Sequence, residues 1–129
     1  MSEIKLMLLG IGGGIHTVAS VAKEPQIRLS HWSIRECDRQ DSHRTRHLVG
    51  YNYASQEGRV SSSIEEFDLE LLRVRTGSGR VYELVGKAGT HTDAEYVWEQ
   101  FLYIQHAENV TDITSSLKHT IELNSELIH

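Results

Sequence analysis

The sequence predicts an α+β fold: a mainly antiparallel, bent β-sheet or partial barrel with one amphipathic helix (about residues 92–106) packed on it. Three observations carry this. Two β-prone runs, residues 71–75 and 80–85, flank Thr76-Gly77-Ser78-Gly79, a hairpin signature because Gly supplies the positive φ that tight turns need. A long β-prone run over residues 26–37 carries its apolar residues on alternating positions. Finally, Ala94, Val97, Phe101 and Ile104 recur at helical spacing, with Trp98 and Leu102 widening the stripe. Strands that come in a run, followed by one helix, fit this class better than alternating βαβ units.

Taken in order, residues 4–9 form a compact apolar run that reads as a first strand, and the glycines after it mark a turn. Residues 16–22 read as a second strand or a short helix before Pro25. In residues 26–37, Ile27 and Leu29 have one parity whereas Trp32 and Ile34 have the other. A strand keeps one apolar face only if parity holds, so a bulge near Ser30-His31 is the economical explanation. Residues 38–46 contain no apolar side chain and read as an exposed loop. Strands follow at 47–53 and 59–64, separated by a turn at Ser55-Gln56-Glu57-Gly58. Phe67, Leu69 and Leu71 alternate with acids, and Leu72 and Val74 then switch parity, which predicts a second bulge or a doubly buried stretch. Thr92-x-x-Glu95 matches a capping box opening the helix, and Glu99 and Gln100 face outward. Residues 110–114 read as a last strand. Residues 115–129, with Ile121, Leu123, Leu127 and Ile128 to bury, are open between helix and strand and read as a docking tail.

The 129 residues fit one domain, residues 1–129, with 39% hydrophobic and 24% charged side chains. The net charge of −5 is uneven: residues 1–59 hold eight Lys/Arg against six Asp/Glu, and residues 60–129 five against twelve. An acidic second half would repel phosphates, so any nucleic-acid surface must come from the first. With Cys37 as its single cysteine, the chain can form no internal disulfide, which points to a reducing, cytoplasmic compartment. The apolar run at residues 6–11 is interrupted by Gly12-Gly13-Gly14 and His16, which argues against a secretory leader. No stretch approaches the ~20 apolar residues needed to cross a bilayer, so no membrane partner is expected.

Gly10-Ile11-Gly12-Gly13-Gly14 invites a dinucleotide-binding reading, but the fingerprint needs a third Gly where Ile15 stands, and a turn is the simpler account. No cofactor is expected. His31, Cys37, His43 and His47 are the candidate metal ligands; their spacing matches no recognised ligand pattern, and a solvated loop beside a buried thiol is the competing reading. Cys37 with His43, or Ser61-Ser62-Ser63 with some His and Asp, would also spell a nucleophile and base. No supporting motif surrounds either, so the chain reads as non-enzymatic. His91, just before the helix, reads as a loop residue or a contact to a helix amide. Arg28, Arg35, Arg39, Arg44 and Arg46, interleaved with Trp32, Tyr51 and Tyr53, are the candidate nucleic-acid contacts, since Arg meets phosphates and rings stack on bases. Glu36, Asp38 and Asp41 dilute that patch.

Residues 61–68, Ser61-Ser62-Ser63-Ile64-Glu65-Glu66-Phe67-Asp68, followed by Arg75-Thr76-Gly77-Ser78-Gly79-Arg80-Val81-Tyr82-Glu83-Leu84-Val85-Gly86, resemble a cassette of small uncharacterised bacterial and phage proteins. The resemblance, within residues 61–86, implies a bacterial or mobile-element origin and no catalytic residue. The function expected from the sequence is a small interaction module that self-associates as a homo-oligomer or binds a protein partner. The alternatives are a nucleic-acid-binding or regulatory protein using the Arg28–Arg46 surface, and a small-ligand or metal-binding protein or enzyme using a His31/Cys37/His47 pocket.

Overall fold

Thirteen consecutive residues, Gln26–Asp38, form strand β1, which is hydrogen-bonded to three other strands. The computed structural model describes residues 20–40, 43–68 and 70–117. After β1 come β2 (Arg44–Asn52), β3 (Glu57–Val60), β4 (Ile64–Asp68), β5 (Arg73–Thr76), β6 (Val81–Leu84), helix α1 (Thr92–Ile104) and β7 (Glu108–Asp112). They make a seven-stranded mixed sheet in the order β3-β2-β1-β6-β5-β4, with β7 also beside β1. The expected strand at residues 4–9, residues 16–19 of the expected strand or short helix at 16–22, the glycine turn and the tail beyond residue 117 lie outside the described residues; residues 21–23 form a turn.

The α+β class holds, with antiparallel pairing in every case but one. Residues 26–29 of β1 pair in parallel with β6, so the sheet is mainly, not wholly, antiparallel. From Ser30 onward β1 pairs antiparallel with β2, and from Arg35 its other edge pairs antiparallel with β7. The barrel does not close. The sheet is nevertheless rolled: residues 61–63 alone carry the chain from β3 to β4, the two ends of the strand order. Four Cα–Cα steps reach at most about 15 Å, whereas five strand spacings laid flat would need about 24 Å.

The change of partner along β1 happens at the expected bulge. Ser30 lies opposite Tyr51 and Ser33 opposite Val49, so β1 holds one residue more than β2 between them, and His31 takes a left-handed φ of 47°. The extra residue puts Leu29 and Trp32 on the same face. That face is a core of Ile27, Leu29, Trp32, Ile34, Leu48, Val74, Tyr82 and Leu84. Beyond the bulge the opposite face is buried as well, under α1: Cys37, Val49 and Val60 meet Ala94, Val97, Trp98 and Phe101, with Leu102 and Ile104 packed alongside. The helical stripe read from the sequence is thus the buried one; each large apolar side chain so buried contributes about 1.5–3 kcal/mol. Gly58 lets the helix come this close, since a Cβ there would stand 2.6 Å from the Ala94 nitrogen.

Four local expectations are corrected. The loop read at 38–46 is shorter, because β1 runs through Asp38 and β2 begins at Arg44; cross-strand ion pairs make strand of what looks like loop. The strand read at 59–64 is two strands, broken at residues 61–63. The apolar run 67–74 hides a hairpin turn between β4 and β5, made without Gly by Leu72 at φ 51° and by Asp68, whose Oδ1 accepts from the Glu70 and Leu71 amides. The capping box does not form: the N-cap is His91, whose Nδ1 accepts from the Asp93 amide, and the Glu95 carboxylate is turned to Arg35. The Gly77–Gly79 hairpin is present as read, with Gly79 at φ 90°. No helix among the described residues is long and apolar enough to cross a membrane.

Candidate functional site

The four metal candidates do not converge. His47 and Cys37 stand on facing strands, Cys37 opposite Thr45 in register, whereas His31 sits at the bulge, four residues from Arg35, the partner of His47; that is roughly 13 Å along the strand. His43 is exposed in the β1–β2 loop, where its carbonyl accepts from the Arg39 amide. No group of three or more His, Cys, Asp or Glu among the described residues stands close enough to hold a metal ion.

His47 is a core residue, fully buried against Phe101 and Trp98. Its Nδ1–H donates to the Ser61 carbonyl at 2.9 Å, so Nε2 carries the lone pair that meets the Thr45 hydroxyl at 2.7 Å. Burial lowers its pKa to about 4, since the charged imidazolium loses its hydration there. The Cys37 thiol is fully buried, and that burial raises its pKa. The serine run is also committed to structure: Ser61 Oγ accepts from the Leu48 amide and donates to the Ser62 carbonyl, and Ser62 Oγ accepts from the Ser78 amide.

The arginine surface is largely neutralised from within. Arg44 bridges Glu36 and Asp38 at 3.1 and 3.0 Å, and Arg46 takes the other oxygen of Glu36. Hydrogen bonds from Asn109 and then Arg44 hold the Asp38 carboxyl below its usual range. Arg28 pairs with Glu83, and Arg39 donates to Gln105. Arg35 is buried beneath α1. The five side chains are therefore distributed over a strand edge, a loop and the helix underside.

Another cluster stands out instead, assembled by the bulge and the helix cap. The His91 ring stacks on Tyr51 with centroids 3.8 Å apart, Tyr53 meets Tyr51 edge-on at 4.9 Å, and His31 lies 5.5 Å from His91 and 6.0 Å from Tyr53. Tyr53 is 62% exposed at the β2–β3 turn, and residues 51–56 carry no charge. Beside this turn runs a cleft whose lining includes Ser30, Asn52 and Tyr53. Below it Glu24 meets the buried Arg59 at 3.2 Å, and its carbonyl accepts from Arg80 Nε. Sequence reading passed over Asn52, Arg59 and Arg80, since a polar residue at a strand end carries no local mark of burial. The pairing of His31 with His91 across 60 positions left no such mark either.

Comparison with protein-family models, with curated proteins and with solved structures gives no match for this chain.

Proposed function

We propose that this chain is a non-enzymatic interaction module that self-associates through the ring surface at the β2–β3 turn. The observation that carries the reading is Tyr53, exposed yet braced by Tyr51 and His31, both of which meet His91, in a six-residue stretch without charge. Tyrosine concentrates binding energy because a large ring is buried at little cost in rotamer freedom. A closed dimer puts the same patch of both copies together. In a chain of net charge −5, an uncharged patch is where two copies meet with least repulsion. The internal ion pairs of Arg28, Arg44 and Arg46 weigh against a phosphate-binding surface, because each must be broken or shared first. The expected tail contact would add to this interface from outside the described residues.

Sedimentation velocity over a wide concentration range tests the reading. The wild-type chain is expected to dimerise, and Tyr53→Glu to remain monomeric with an unchanged melting temperature. A wild-type chain that stays monomeric throughout, or a Tyr53→Glu variant that dimerises as well as wild type, would reject it.

A further inference from the structure

The cleft beside the tyrosine turn has a volume of about 580 Å³, in the range of pockets that hold peptides and small ligands. It lies where one edge of β1 has no neighbour among the described residues. The carbonyls of Pro25 and Leu29 accept from Val81 and Val85 at 2.9 and 3.0 Å, so the odd-numbered peptide groups of this half of β1 face β6. The amide and carbonyl of Arg28 therefore face the opposite edge. The β2 pairing begins only with Ser30 opposite Tyr51, and the chain turns away at Tyr53, so β2 ends before it reaches Arg28. Gln26, Ile27, Arg28 and Ser30 on one side, with Asn52, Tyr53 and Ala54 on the other, line the space left over.

A second observation points to a ligand. Asn52 is 2% exposed. Its Oδ1 accepts from the Ala54 amide at 3.0 Å, which fixes the side chain, but its Nδ2 meets no acceptor among the described residues. Buried donors nearly always find partners, and one left without marks a place where an acceptor is expected. The charges around the cleft are internally matched: Glu24 with Arg59 at 3.2 Å, and Arg28 with Glu83 at 3.1 Å. A neutral ligand fits better than an ionic one, because it leaves both pairs intact.

We propose that this cleft binds an extended, uncharged peptide segment by strand addition. One ligand carbonyl takes the Asn52 Nδ2–H, another takes the Arg28 amide, and a ligand N–H donates to the Arg28 carbonyl. Ile27, Tyr53 and Ala54 supply the apolar contact for its side chains. The site goes beyond self-association and competes with it, because Tyr53 belongs to both surfaces.

The test is a titration of ¹⁵N-labelled protein with the blocked peptide acetyl-Val-Ala-Val-N-methylamide, followed by amide NMR shifts. Wild type should show saturable shifts at the Arg28 amide and the Asn52 side-chain amide. Asn52→Asp keeps the acceptor for Ala54 but removes the donor, and should weaken binding about tenfold, as loss of one hydrogen bond does. Ala54→Trp, at an exposed position, should block the cleft and abolish the shifts whether or not Asn52→Asp folds. Shifts absent from Arg28 and Asn52 in wild type, or full affinity retained in Ala54→Trp, would overturn the assignment.

Discussion

Both carboxylate oxygens of Glu95, on α1, receive the guanidinium of Arg35, on β1, tying the helix to the sheet beneath it. The pair is asymmetric: the Arg35 side chain is 9% exposed and that of Glu95 38%. Arg35 also donates to Ser33 Oγ at 3.1 Å and lies 5.6 Å from the Trp98 ring. Glu95→Ala leaves the buried cation only the longer contact to Asp112, 3.9 Å from its Nε, and should cost about 1–2 kcal/mol, discounted because water reaches the carboxylate side. Arg35→Met leaves two carboxylates, Glu95 and Asp112, that solvent can hydrate, and should cost less. Urea unfolding of both variants gives the order; Arg35→Met as the worse of the two would contradict it.

His47 predicts an acid limit to stability. Its pKa in the fold is about 4, below the ordinary value near 6.5, so the unfolded chain binds the proton more readily. Stability from the neutral ring is therefore complete above about pH 6.5 and is lost as pH falls towards 4, amounting to about 3 kcal/mol. Chemical unfolding at several pH values between these limits should show the slope for wild type and a flatter profile for His47→Gln. Equal slopes in the two proteins would remove His47 from the account.

The backbone at His31 should discriminate among substitutions by conformation rather than polarity. A left-handed φ of 47° is open to Gly and costly for a β-branched residue. His31→Gly should melt within a few degrees of wild type, whereas His31→Val should lose about 1–2 kcal/mol. Thermal melts of the pair decide it, and a His31→Val protein as stable as His31→Gly would mean the bulge had moved.

Gly58→Ala should be among the most damaging single-methyl additions. The new Cβ would stand 2.5 Å from the Asp93 carbonyl carbon and 2.6 Å from the Ala94 nitrogen, both backbone, so the helix must shift bodily. A loss of about 1–3 kcal/mol is expected from such overpacking. Gly77→Ala, where the nearest atom is 3.6 Å away, is the matched control and should change the melting temperature little.

Local signals were legible where one stretch of chain settles its own geometry. The parity switch between Leu29 and Trp32 gave the bulge at His31, the two glycines gave the β5–β6 hairpin, and the spacing of Ala94, Val97 and Phe101 gave the buried face of α1. The β4–β5 turn was illegible because Leu72 has the composition of a strand and Asp68 makes the turn with its side chain. Arg44 and Arg46 looked like loop residues because the acids that pair them into a strand lie on β1. At the helix start, the Thr92 pattern was plausible in itself, but Arg35 competes for Glu95 from 60 positions away. The parallel β1–β6 pairing, the His31–His91 contact and the burial of Asn52 arise between distant segments, and a single sequence encodes them only through the whole fold.

The switch of partners along β1 also sets an order of events during synthesis. As the chain leaves the ribosome, β1 can pair with β2 at once, and β2 with β3, since each follows directly. Its first half must wait for residues 81–84, and its outer edge for residues 108–112. Until then one nascent strand presents bare peptide groups along much of its length, the condition under which unfinished chains pair with one another. The central strand of the finished molecule is thus the part left longest without its neighbours while the molecule is being made.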